Sequence, residues 1–145
     1  MINKDNIYNY NYTFPILRSE ELINNEKYLQ LKSNWPNFKL FQTTNAGQKN
    51  RNNIEIEKNN NNYKKINSLY KDLYDEFNST DFRNFLKDKF ENIYTPENEY
   101  IGNFDTSVLT MHIAETNDHY ENPWHVDNRE RIIQFLIYFG DEDII

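Results

Sequence analysis

The sequence predicts an α+β fold in which helices pack on a sheet formed late in the chain. Three observations lead there. Ile66, Leu69, Tyr70, Leu73, Tyr74 and Phe77 follow i, i+3, i+4, i+7, i+8, i+11 spacing, a continuous apolar stripe on one side of a helix. Phe82, Phe85, Leu86 and Phe90 form a second stripe directly behind it. Residues 132–139 are an apolar run of strand-forming types, and residues 107–116 add Val108, Leu109, Thr110, Met111, His112 and Ile113. Two helix faces this apolar must cover something, and the late strands are the partner they need.

In chain order, the residues up to Thr13 are polar, with Tyr8, Tyr10 and Tyr12 alternating. That pattern fits either a short strand or a loosely held tail. Ser19 followed by Glu20 and Glu21 reads as a helix start, a capping hydroxyl with acids at the positive end of the dipole. Leu22, Ile23, Tyr28 and Leu29 give that helix one apolar side to about Leu31, and Asn34-Trp35-Pro36 stops it. Trp35 is expected to pack the helix onto the core. Phe38, Leu40 and Phe41 suggest a brief extended piece. Residues 45–62 hold almost nothing apolar except Ala46, Ile54 and Ile56, and 59–62 are consecutive amides. This Asn-rich stretch reads as a surface loop, with room for one short strand at 54–56. Asn78-Ser79-Thr80-Asp81 breaks the first long stripe and caps the second, whose Lys87 and Lys89 suit its C-terminal end. Residues 94–106 read as a connector. Asn117-Asp118-His119 has turn chemistry, as does Gly140-Asp141-Glu142-Asp143.

The 145 residues suffice for one domain, divided into a helical lead-in over 1–106, with its loop at 45–62, and strands over 107–145. A mean hydropathy of −0.97 and the lack of any apolar run near the ~20 residues of a membrane span point to a chain with no membrane partner. A net charge of −7 argues against a nucleic-acid partner, which calls for a basic face. No apolar stretch follows Met1-Ile2-Asn3-Lys4-Asp5 as a secretory signal would require, and Cys is absent. A cytoplasmic location is the expectation, without disulfides or thiolate metal sites. Aromatic residues make up 16% of the chain, too many for a disordered one.

The chemistry concentrates in Pro123-Trp124-His125-Val126-Asp127-Asn128-Arg129-Glu130-Arg131, just ahead of the strongest strand. In an extended segment residues i and i+2 point to one side, so His125 and Asp127 can aim a ring nitrogen and a carboxylate oxygen at one point. That is two-thirds of the two-His, one-carboxylate set that holds ferrous iron with open positions. A structural His–Asp hydrogen bond fits the same spacing. In the strand that follows, Ile132, Gln134, Leu136 and Tyr138 share one face, and Ile133, Phe135, Ile137 and Phe139 share the other.

His125-x-Asp127-Asn128, the basic Arg131 shortly before an apolar strand, and Tyr138 closing that strand resemble the iron(II)- and 2-oxoglutarate-dependent dioxygenases, in particular the prolyl 4-hydroxylase-like branch. The close resemblance covers about the last third of the chain, and a looser one covers the helical lead-in. It implies N-terminal helices packed on an incomplete double-stranded β-helix (jelly-roll) sheet. It implies Fe(II) and 2-oxoglutarate as cofactors and O₂ as co-substrate, with His125 and Asp127 as metal ligands. Tyr138 would hydrogen-bond the far carboxylate of 2-oxoglutarate, and no catalytic residue is expected beyond the metal ligands. The implied reaction couples oxidative decarboxylation of 2-oxoglutarate to hydroxylation of a substrate C–H bond, on a protein side chain or a small molecule. Gly140 stands where an Asn is more usual in the family. The family's distal His and co-substrate Arg lie several strands further on; none of the residues after Asp127 is His, and Arg129 and Arg131 precede the next strand. The expectation is a domain truncated before both, binding iron weakly and without turnover, whose longer reading frame would supply them. Arg131 reads as structural, His112 as a satisfied core histidine and His119 as exposed. Two other readings stand beside the oxygenase. One is a degenerate β-helix module acting in protein interaction, with His125 and Asp127 structural. The other is a cupin-like metal protein, which would normally cluster more His near the first ligand.

Overall fold

A computed structural model describes residues 2–5, 7–11, 15–43, 49–90, 108–121 and 133–139. Tyr8 and Tyr10 belong to a paired strand, while Tyr12 lies outside the described residues. β1 (Ile7–Asn11) runs antiparallel to β2 (Pro15–Ser19), with Ile7 opposite Ser19 and Asn11 opposite Pro15. Pro15 sits at the first position of its strand, where a missing N–H is tolerated.

Ser19 therefore ends a strand and does not cap a helix. Leu22 and Ile23 are held by the N-terminal residues: Ile2 and Ile23 form an antiparallel bridge, and Asn3 N–H donates to the Leu22 carbonyl at 2.7 Å. The first helix, α1 (Asn25–Ser33), begins later, where the Asn24 side chain accepts from Lys27 N–H at 2.9 Å. It stops at Asn34 ahead of Trp35-Pro36, as read from the sequence. The piece after it is a 3₁₀ turn, Phe38–Leu40, where an extended segment was expected.

The stretch 45–62 is not a surface loop over its described part. β4 (Lys49–Ile56) is the middle strand of a three-stranded antiparallel sheet, flanked by β3 (Gln42–Thr43) and β5 (Met111–Glu121). A short helix, α2 (Asn61–Lys65), follows. The lead-in is thus not purely helical, since the described residues of 1–106 include the strands β1 to β4. The reason lies in the two-residue period. Ile54 and Ile56 share a face and are completely buried, while the polar residues between and before them turn away or pair along the ladder. The amide run serves the backbone. Asn60 and Asn62 both donate to the Glu55 carbonyl, at 2.9 and 2.8 Å, and Asn60 caps α2 by accepting from Tyr63 N–H.

β5 starts at Met111 and its backbone runs on through 117–119, so the turn residues do not end it. Their chemistry shows instead as a register break: Arg51 faces Thr116 but Lys49 faces Glu121, so the extra residues of β5 are taken up in a bulge.

α3 (Ser68–Phe77) and α4 (Thr80–Phe90) match the two stripes. Asn67 accepts from Leu69 N–H at 2.9 Å, and Ser79 Oγ accepts from Phe82 N–H at 3.1 Å. Ile66, which opens the first stripe, ends α2 and is buried all the same. Tyr70, Leu73, Tyr74, Phe77, Phe82 and Leu86 form one cluster with Ile54, Ile56 and Ile113 of the sheet and with Ile23 and Leu31. Each such side chain contributes about 1.5–3 kcal/mol when buried. The described residues thus form a mixed α+β architecture, a two-stranded hairpin and a three-stranded sheet with helices on one face. Among them, no helix is long and apolar enough to cross a membrane.

Candidate functional site

His125, Asp127 and Arg131 lie outside the described residues, as do Ile132 and Gly140. His119 lies in β5 by its backbone, and its side chain is outside them. Tyr138 is described. Along 133–139 the sides alternate as the two-residue period requires: Ile133, Phe135, Ile137 and Phe139 are half-buried, and Gln134, Leu136 and Tyr138 are exposed. The side chains thus alternate as in the expected strand, but residues 133–139 form no β-strand among the described residues. Side-chain anchors hold the segment in place of a ladder.

There are two anchors, four residues apart. Phe135 sits between Phe77 and Phe82, with ring centroids 5.8 and 5.7 Å away. Phe139 stacks on Tyr28 at 5.2 Å, the rings nearly parallel, and meets Trp35 at 5.5 Å. Trp35 also meets Tyr70 edge-on at 6.4 Å and Phe41 at 6.5 Å, which places it at the centre of an aromatic joint between α1, α3 and the late segment. Its indole N–H donates to Glu115 Oε1 at 2.6 Å. The packing role read for Trp35 from the sequence is what the structure gives it, with a hydrogen bond to the sheet in addition. Tyr70 donates its hydroxyl to the Leu31 carbonyl at 2.7 Å, and burial pushes its phenol well above the ordinary value.

Tyr138 has no such anchor. It is 78% exposed, and among the described residues its hydroxyl makes no hydrogen bond. Its side of the segment faces away from the helices that hold Phe135 and Phe139.

The three-stranded sheet is two-faced in the same sense. Ile54, Ile56 and Ile113 face the helices, and Arg51, Asn53, Glu55, His112 and Thr116 face the other way. His112 is consequently exposed and not a core residue, because its neighbour Ile113 takes the inward position. The Asn53 amide nitrogen lies 2.9 Å from His112 Nδ1. Asn53 Oδ1 is shut off from solvent without a hydrogen-bond partner among the described residues. Among the described residues no three His, Cys, Asp or Glu side chains are grouped to hold a metal.

No family model matches the chain, and no curated protein or solved structure matches it.

Glu115 and Asn53 were missed in the sequence. The signal for Glu115 was available: two positions from Ile113 it must face the core side, where a carboxylate needs a donor such as an indole N–H. Asn53 was hidden inside a stretch whose composition masked its alternation.

Proposed function

We propose that the chain is an iron(II)- and 2-oxoglutarate-dependent oxygenase domain of the prolyl 4-hydroxylase-like type. The observation that carries this reading is the segment 133–139. It comes shortly after His125-x-Asp127, alternates half-buried and exposed side chains, and leaves Tyr138 on the exposed side with no hydrogen bond to its hydroxyl among the described residues. The polar face of the β3–β4–β5 sheet, likewise turned from the helices, supports the same reading. In a double-stranded β-helix the helices cover the outside and the opposite faces line the interior.

In this reading His125 provides a neutral imidazole nitrogen and Asp127 an anionic oxygen, a donor set that suits ferrous iron. Iron and 2-oxoglutarate together supply the oxidising power for hydroxylation of a substrate C–H bond. The chain's own part is to bind and orient. His125 needs an acceptor on its second ring nitrogen to keep the metal-binding tautomer, and Tyr138 offers its O–H to the far carboxylate of 2-oxoglutarate. A cytoplasmic setting with Fe(II), 2-oxoglutarate and O₂ at hand belongs to the same proposal. The substrate is a protein side chain or a small molecule.

Metal binding tests it. Mn(II) serves as a paramagnetic stand-in for iron, and loss of the free-ion resonance signal reports binding. The wild-type chain should bind, more tightly with 2-oxoglutarate present, and His125→Ala and Asp127→Ala should each abolish that increment. Equal binding by wild type and Asp127→Ala would remove the basis of the proposal.

A further inference from the structure

We propose that a cleft between the turn after β4, helix α3 and the start of α4 binds a small monocarboxylate with an apolar body. Among the described residues the cleft measures about 410 Å³, a size that takes a metabolite. Its lining includes Lys58, Tyr74, Asp75, Asn78, Arg83 and Val108. It shares no residue with His125, Asp127 or Tyr138, so the inference stands apart from the oxygenase reading.

The lining is held in place without a ligand. Asn78 spends its side chain on the backbone: its amide donates to the carbonyls of Tyr74 and Leu109 at 3.0 and 3.2 Å, and its oxygen accepts from Leu109 N–H at 2.9 Å. Arg83 donates one guanidinium N–H to the Asn78 carbonyl at 3.3 Å, and Tyr63 braces the Tyr74 ring edge-on at 5.6 Å. A site fixed beforehand gives up less affinity to ordering. Tyr74 supplies the deciding donor. It is 2% exposed, and its oxygen accepts from Lys58 N–H at 3.2 Å, so its own proton is left to give. Among the described residues that proton meets no acceptor. An incoming carboxylate oxygen would satisfy it, in a bond strengthened by the charge. Lys58, exposed and in no ion pair among the described residues, brings an ammonium to the same cleft, and Arg83 brings a guanidinium. Asp75, whose Oδ2 accepts from the Tyr63 hydroxyl at 2.9 Å, adds one negative charge. The balance is a single positive charge, which suits a monoanion better than a phosphate dianion. Val108, 71% exposed, offers apolar surface to the ligand's body.

The test titrates benzoate into the full chain, to the millimolar range, and follows backbone amide resonances. In wild type the Lys58 and Val108 amides should move. Tyr74→Phe should weaken binding about tenfold, the effect of one lost hydrogen bond to a charged group. Lys58→Gln, at an exposed position that does not bear on folding, should weaken it about threefold and carries the test if Tyr74→Phe fails to fold. Lys39→Gln, an exposed lysine outside the cleft, should bind as wild type does. Benzyl alcohol, which lacks the charge, and phenyl phosphate, which carries too much, should both bind more weakly than benzoate. Unmoved Lys58 and Val108 amides in wild type would overturn the proposal. So would a Lys58→Gln protein that binds no more weakly than Lys39→Gln, or benzyl alcohol binding as well as benzoate. Tighter binding of phenyl phosphate would overturn the choice of a carboxylate.

Discussion

Replacing Tyr70 with Phe removes a single oxygen from the centre of the core, and the consequence depends on pH in a way the structure dictates. Tyr70 is 1% exposed and donates to the Leu31 carbonyl at 2.7 Å, near the C-terminal end of α1. At neutral pH the substitution should cost about 1–1.5 kcal/mol, the net worth of one buried hydrogen bond. In the unfolded chain the phenol ionises at its ordinary 10.0, whereas burial raises its pKa in the folded protein. A raised folded pKa gives stability that is present below the unfolded value and lost as pH climbs toward the folded one. At about pH 11 the loss reaches about 1.4 kcal/mol, one unit's worth of proton linkage. Phe carries no such group. The wild-type advantage should therefore shrink above about pH 10 and vanish near about pH 11. The Tyr63 phenol is also raised, chiefly by its hydrogen bond to Asp75, but it is common to both proteins and cancels in the difference. Urea unfolding of the two proteins at a series of alkaline pH values measures the gap. A gap that stays constant across that series would refute the reasoning.

Other consequences follow from single residues. Ile54→Ala, at a completely buried position facing Ile113, should destabilise by about 2–5 kcal/mol in the same assay, and Glu55→Ala beside it, exposed, by less than about 0.5 kcal/mol. A similar cost at both would mean that residues 49–56 are not the strand described. Asn78→Ala removes a side chain that bonds both the N–H and the carbonyl of Leu109, at 2.9 and 3.2 Å, and should cost about 2–3 kcal/mol. It should also raise amide exchange at Leu109 and Met111, and unchanged exchange there would show that Asn78 does not pin the approach to β5. Asn24→Ala should cost about 1 kcal/mol by uncapping α1, whereas Ser19→Ala should leave α1 helicity unchanged; the reverse order in far-UV circular dichroism would restore Ser19 as the cap.

Much of the fold was legible in residue spacing. α3 and α4 were readable because each carries an apolar stripe long enough to fix its period, and Ser79 because a hydroxyl between two stripes has little else to do. The side alternation of 133–139 was legible for the same reason. What failed was composition used in place of period. The stretch 45–62 is polar on average, yet Ile54 and Ile56 alone suffice to bury a strand once ladders form on both sides. Ser19 misled because pairing between residues far apart in sequence, Ile2 with Ile23, overrode a plausible local cap. The turn read at residues 117–119 was overturned: β5 runs through them, and the register shift against β4 is taken up in a bulge. Of the candidate site, parity grouped Tyr138 with Gln134 and Leu136 but did not say which side faces out, and His112 was misplaced for want of a parity count against Ile113. His125 and Asp127 rest on spacing and on family resemblance.

The most direct test of the oxygenase proposal is optical. A 2-oxo acid chelated to ferrous iron absorbs visible light through metal-to-ligand charge transfer, and the free components do not. Under anaerobic conditions, Fe(II) and 2-oxoglutarate added to the wild-type chain should produce such a band. It should be absent in Asp127→Ala and weaker at equal ligand in Tyr138→Phe. A wild-type spectrum without the band, or one that Asp127→Ala reproduces unchanged, would contradict the assignment of His125 and Asp127 to iron.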